Sequence, residues 1–298
     1  MQKPPPVYLS DLVLHPEHDV AYVHFADAAA HPFQPHAAGV PRVNVWWLAE
    51  AALASYWPEL AARAIYREAG LESEYLREGS TDCYVTWNAT TVIVAFRGTE
   101  PDEWPDVLTD IKIRLEPWTH AGKVHRGFRE GLQDIWPRLT RKLRDLSAGR
   151  KVWFCGHSLG AALATLAADL YDSTNGVCTF GSPLVGDRSF IQAYDARLQG
   201  RSLRYVNHHD VVTHVPPSAF GYEHVDAGRY IARNGSVSNA VSELLHYFSA
   251  LFGHSEVLLE IIKGSQARTA QLAPTFLLDH MPKAYAVWTW NDYDANGG

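Results

Sequence analysis

In the stretch FCGHSLGAALATLAADL, Ser158 stands two residues after Gly156 and two before Gly160. The apolar run KVWFC leads into it, and a run of alanines and leucines follows. A serine so placed between a buried strand and a helix has the pattern of a nucleophile elbow. The turn is so sharp that only hydrogen fits at Gly156 and Gly160. It lifts the Ser158 hydroxyl out of the sheet at a helix N-terminus, where unpaired N–H groups and the helix dipole favour developing negative charge. With Gly and Ser each at ~7% of residues, the bare pattern arises by chance in roughly one chain of this length in ten. The strand before it and the helix after it therefore carry the inference. The competing reading is a glycine-rich turn whose serine only caps a helix.

A serine hydroxyl is a weak nucleophile and needs a base, which in turn needs an orienting acid. On a sheet of this kind the chain order is Ser, then Asp or Glu, then His. Asp210 lies just past the strand in SLRYVNHHD, where the acid belongs. Asp187 and Asp195 fall in a helical pattern, and Asp226 follows no strand signal. The candidate bases are His214, His224, His246, His254 and His280. His214 is cramped against Asp210, His246 and His254 lie on or at the end of a predicted helix, and His224 reads as a structural loop histidine. His280, in LLDHMPKAY, follows an apolar segment near the C-terminus and is the favoured base. His157 adjoins the nucleophile, but its place in the pattern points it away from the triad.

Positioning these groups takes strands and helices in alternation. The first 40 or so residues, rich in His, Pro and Ala, read as an irregular wrap. VNVWWLAEAALASYW has helical spacing, and CYVTWN and TVIVAF are strands either side of a turn at Ala89 and Thr90. A helix is predicted over GFREGLQDIWPRLTRKLRDL, with Phe128, Leu132, Ile135, Trp136, Leu139, Leu143 and Leu146 on one stripe and Pro137 as a kink point. KVWFC, GVCTFGSP and SLRYVNH are strands, separated by helices at Ser158 to Tyr171 and Asp187 to Leu198. A later helix fits VSNAVSELLHYFSALFG. Alternation of this kind implies a mostly parallel central sheet flanked by helices, an α/β fold. No domain boundary is visible, so residues 1–298 read as one domain.

Bulk properties exclude other classes. A net charge of −7 lacks the basic patches that neutralise phosphates, so no nucleic-acid partner is expected. No run approaches the ~18 apolar residues of a spanning helix. MQKPPPVYLSDLVLHPEHD has no apolar core of a signal peptide, which predicts a cytoplasmic protein unless a leader has been removed. Cys83, Cys155 and Cys178 have no metal-ligand spacing, and the latter two read as buried free thiols. The sequons at Asn88 and Asn234 are read as chance matches.

Taken in order, VIVAFRGTE, DVLTDI, KVHRGFREGL, CGHSLGAALATLAA, CTFGSPLVGDRSF, RYVNHHDVVTHVPP, GYEHVDAGRYI and DHMPKAY resemble the class 3 lipases, the fungal-lipase-like α/β hydrolases. The likeness runs from about Val43 to Ile231 and resumes near His280. It implies an α/β-hydrolase fold and a Ser158, Asp210 and His280 triad. It also implies an oxyanion hole from the backbone N–H groups of Thr99 and Leu159, with the Thr99 hydroxyl as a third donor held by Asp110. The residues themselves agree: FRGT closes a strand, and the residue after the nucleophile offers a second N–H. The chain departs from the family pattern at Ala161, where a second glycine is common. It cannot form the disulfide set of secreted fungal members. It also carries extra residues at 234–271, read as a helical insertion.

The implied reaction is hydrolysis of a carboxylic ester through an acyl-enzyme on Ser158, most simply of triacylglycerol, with no metal or cofactor. A phospholipase, a short-chain carboxylesterase and a feruloyl-type esterase would share the machinery, because acyl and alcohol pockets are built from loops. A non-catalytic binding protein on the same fold is the remaining alternative, and an intact set of three argues against it. EPDEWPDVLTDI, at 100–111, follows the oxyanion strand. Trp104, Val107, Leu108 and Ile111 there suit one face of a short helix. It reads either as a packed loop or as a lid that opens on reversible contact with a lipid interface.

Overall fold

The computed structural model describes residues 3, 22–99, 114–239 and 279–296. Residues 22–41 contain turns but neither helix nor strand, as a wrap should, and Phe25 plugs into Trp47 with ring centroids 5.0 Å apart.

Eight strands form one sheet: β1 (Glu72–Glu78), β2 (Thr81–Trp87), β3 (Thr91–Phe96), β6 (Lys151–His157), β7 (Thr174–Phe180), β8 (Ser202–Asn207), β9 (Arg229–Ile231) and β10 (Val237–Ser238), in that spatial order. β3, β6, β7, β8 and β9 are parallel, while β1, β2 and β10 pair antiparallel at the edges. A separate hairpin joins β4 (Leu115–Pro117) and β5 (Lys123–His125).

Strands buried on both faces read as continuous apolar runs, and TVIVAF is buried at every position. Their alternation splits the core in two. Val92, Val94, Phe96, Val152 and Phe154 face α3 (Arg126–Leu146), α4 (Leu159–Leu170) and α5 (Arg188–Leu198). Ile93, Ala95, Trp153 and Cys155 face α1 (Arg42–Ala54), α2 (Glu59–Glu68) and α6 (Pro282–Asn296). The α3 stripe is buried as its spacing predicts, except that Trp136 is only partly covered. Each fully buried leucine on it contributes about 1.5–3 kcal/mol. The helix continues through Pro137, and the Thr140 hydroxyl donates to the Trp136 carbonyl at 2.8 Å. All three cysteines are buried free thiols.

The structure corrects one boundary and adds elements. The helix predicted from Val237 does not start there: Val237 and Ser238 pair with Ile231 and Tyr230 as β10, because an open sheet edge offers backbone partners that helical spacing ignores. Residues 240–253 of that stretch, and 240–271 of the predicted insertion, lie outside the described residues. β1 escaped notice because ESEYLRE buries only Leu76. α6 escaped because PKAYAVWTWNDYDAN is covered nearly all round and has no apolar stripe.

Candidate active site

Ser158 sits between β6 and α4 at φ 59° and ψ −130°. A conformation so sparsely populated costs about 1–3 kcal/mol and persists only where its surroundings impose it. Here a Cβ at Gly156 would strike the Gly160 carbonyl, and one at Gly160 would strike the Phe96 carbonyl. The Ser158 N–H donates to the Phe180 carbonyl at 3.0 Å, which ties the elbow to the end of β7.

Asp210 follows β8, and His280 lies just before α6. His280 Nδ1 is 2.8 Å from Asp210 Oδ2, and His280 Nε2 is 2.9 Å from Ser158 Oγ. An ionised carboxylate only accepts, so Nδ1 carries the proton and donates. Nε2 is left with its lone pair facing Ser158, whose hydroxyl donates to it. All three groups are buried. Gly181, at φ 59°, leaves room for them: a Cβ there would stand 2.7 Å from Asp210 Oδ2 and 2.9 Å from His280 Cε1.

Asp210 has further donors. Its Oδ1 accepts from the Val212 N–H at 3.0 Å, and its Oδ2 accepts from the Tyr285 hydroxyl at 2.5 Å. Burial, then the Asp210 charge, push the Tyr285 phenol well above its ordinary pKa, so it stays a donor. The Tyr285 oxygen in turn accepts from the Asn207 N–H at 3.0 Å, and Asn207 Nδ2 donates to the Asp279 carbonyl at 2.9 Å. The first turn of α6 is thereby fastened to the end of β8. Sequence reasoning missed Tyr285, and its only signal was a tyrosine shortly after the candidate base.

His157 does not point away from the triad, as its sequence position suggested. Its ring lies 4.5 Å from that of His280, centroid to centroid. Its Nε2 is 2.6 Å from the His280 carbonyl, which only accepts, so Nε2 carries the proton. Nδ1 then accepts from the Tyr56 hydroxyl at 2.8 Å. Burial, reinforced by His280, holds the His157 pKa well below its ordinary value and keeps the ring neutral. The Tyr56 oxygen also packs against the backbone of Gly98, next to Thr99, and a Cβ on Gly98 would strike it. A chain of hydrogen bonds therefore runs from Tyr56, just past α1, through His157 at the end of β6 to the backbone of His280.

Leu159 is the first residue of α4, where a backbone N–H has no acceptor within the helix. Thr99 adjoins Gly98, whose Cα faces Ser158: a Cβ there would lie 3.1 Å from Ser158 Cβ. Asp110 and the predicted lid residues Trp104, Val107, Leu108 and Ile111 lie outside the described residues. The competing acids have other duties. Asp187 caps α5, accepting from the Phe190 N–H at 2.9 Å. Asp195 accepts from the Asp226 N–H at 3.0 Å, and Asp226 from the Arg204 N–H at 3.1 Å. His224 donates through Nε2 to the Thr213 carbonyl at 2.6 Å, and Thr213 Oγ1 donates to the Asp210 carbonyl at 2.7 Å. His224 thus supports the acid's loop. His214 is half-buried on that loop, and His246 and His254 lie outside the described residues.

A serine, imidazole and carboxylate in this arrangement, on a strand–turn–helix of a mostly parallel sheet, define a candidate nucleophilic hydrolase. Residues 93–220 match the class 3 lipase family. A lipase of Rhizomucor miehei is 33% identical over 156 residues, covering 48% of this chain and 42% of the relative. A secreted mono- and diacylglycerol lipase of Malassezia globosa is 27% identical over 161 residues, covering 50% of this chain and 51% of the relative. The chain thus spans about half the length of the curated relatives it matches. The solved lipase of Rhizopus microsporus var. chinensis superimposes with a TM-score of 0.53 at 25% identity, covering 69% of this chain and 80% of that one. The neighbours share the α/β-hydrolase fold. Among the described residues, no helix is long and apolar enough to cross a membrane.

Proposed function

We propose that the chain is a serine ester hydrolase that releases fatty acids from acylglycerols through an acyl-enzyme on Ser158. The observation that carries this reading is the hydrogen-bonded line from Asp210 through His280 to Ser158, with the serine on a strained elbow. As Ser158 Oγ attacks the ester carbonyl carbon, its proton passes to His280 Nε2. Asp210 fixes the imidazole and stabilises the imidazolium. The oxyanion takes hydrogen bonds from the N–H groups of Leu159 and Thr99. His280 then gives its proton to the departing alcohol, leaving the acyl group on Ser158. Water attacks the acyl carbon and loses a proton to Nε2, and the proton returns to Ser158 as the acid leaves.

The acylglycerol assignment draws on the lipase relatives, one of them named for mono- and diacylglycerol. Contact with a lipid interface through residues 100–111 belongs to the same reading and rests on the sequence of that segment. A chain-length series of p-nitrophenyl and glycerol esters tests it. Rates should favour long acyl chains and rise sharply once substrate exceeds its solubility limit. Preference for short soluble esters, with smooth saturation through that limit, would assign the protein to the carboxylesterases.

A further inference from the structure

Next to the triad, and with no part in it, His208, His209 and Asp279 converge so that one donor atom from each lies within 4.8 Å of the others. His208 Nδ1 is 3.1 Å from Asp279 Oδ2, and the same oxygen accepts from the His209 N–H at 3.2 Å. Adjacent residues of a strand point to opposite faces. These two rings instead lie 3.7 Å apart, centroid to centroid, because His208 leaves β8 at φ 42°. That conformation costs a residue with a Cβ about 1–2 kcal/mol, and such outliers concentrate at ligand and reaction sites. All three side chains are half-buried, within reach of solvent.

We propose that His208, His209 and Asp279 bind a divalent transition-metal ion of the zinc class. Two imidazole nitrogens and one carboxylate oxygen suit a borderline ion, whereas magnesium and calcium take oxygen ligands. Metal–ligand lengths of about 2.0–2.2 Å put neighbouring donors of a tetrahedral site ~3.3 Å apart. The pair His208 Nδ1 and Asp279 Oδ2 already stands near that spacing. Small side-chain rotations bring in the His209 ring, and water takes the fourth position. His209 directly precedes Asp210, and Asp279 directly precedes His280. The ion therefore cross-links the two chain segments that carry the acid and the base, adding to the Asn207 bond that already joins them.

Calorimetric titration of the chelator-stripped full chain with Zn²⁺, repeated with Co²⁺ to read tetrahedral coordination from its visible spectrum, tests the site. One ion should bind per chain, raising Tm by about 5 °C at ~100-fold excess over Kd. Binding should weaken at least about tenfold in His209→Ala, the loss of one ligand. Asp279→Asn should do the same, and it decides the matter if His209→Ala fails to fold. No binding at about 1 mM Zn²⁺ would overturn the proposal, as would unchanged affinity in the folded variants. An ion that stays bound in His209→Ala and blocks ester hydrolysis sits on His280, and that result also overturns it.

Discussion

At the scale of single residues, the acid of the triad is held by more than the base it orients. Tyr285 donates a short bond to the carboxylate oxygen that also meets His280. A hydrogen bond to an ionised group is worth about 1.5–3 kcal/mol. Tyr285→Phe should therefore lower kcat by about tenfold or more with KM little changed. It should also lower Tm, because the buried Asn207 N–H loses its acceptor. Steady-state kinetics and a thermal melt separate the two effects. A lower Tm with unchanged kcat would make Tyr285 a structural residue alone. The contrast between Ser158 and Tyr285 shows what a sequence displays at this scale. The elbow is legible because its glycines are imposed by local sterics. A tyrosine that reaches Asp210 across the fold leaves no local pattern, since only tertiary structure brings the two together.

At the scale of elements, the turn after α1, the end of β6 and the segment after β3 meet at the Tyr56 hydroxyl. Tyr56→Phe removes the donor to His157 Nδ1, the ring that in turn bonds the His280 carbonyl. The substitution should reduce kcat several-fold, to about the cost of one lost hydrogen bond. Tyr56→His or Tyr56→Trp would change volume as well, so the phenylalanine variant is the clean comparison, read by kcat against KM. Unchanged kcat would mean that the hydrogen-bonded chain braces the fold without tuning the site. Strands and helices with strong periodicity, such as TVIVAF and the α3 stripe, were legible because burial of one or both faces writes itself into residue type. β1 and α6 were not, since one is an exposed edge and the other is packed on nearly every side. His157 was misread for a related reason: alternation predicts a face, and the strand ends at this residue just before the elbow.

At the scale of the whole molecule, neutral histidines, one buried and two half-buried, and one buried carboxylate set the acid limit of stability. Burial holds His157 and His224 well below the ordinary histidine pKa, and brings His214 down to about 4. The unfolded chain takes up these protons as pH falls through ~6.5, while the folded chain resists them. Stability is therefore full above about pH 6.5 and declines below it, His214 alone contributing about 3 kcal/mol by pH 4. Glu50 extends the decline. Burial would raise its pKa, but Lys3 at 2.9 Å and His24 at 3.3 Å outweigh burial and lower it to about 2. Its folded value lies below its unfolded one, so its contribution is present above about pH 4.5 and is lost on the way down to about pH 2. Melts at successive pH values should show a plateau above pH ~6.5 and a fall beneath it. His224→Gln keeps a donor for the Thr213 carbonyl and removes one titrating group, so it should flatten the first part of the fall. A Tm that stays level down to about pH 5 in the unaltered protein would contradict this account.

The central claim is that Ser158 is the nucleophile. Treating the protein with an organophosphonate ester and mapping the adduct by mass spectrometry tests it most directly, with ester hydrolysis measured alongside. One adduct is expected, on Ser158 in the active protein, with neither adduct nor hydrolysis in folded Ser158→Ala. An adduct on another residue, or hydrolysis that survives the substitution, would contradict it.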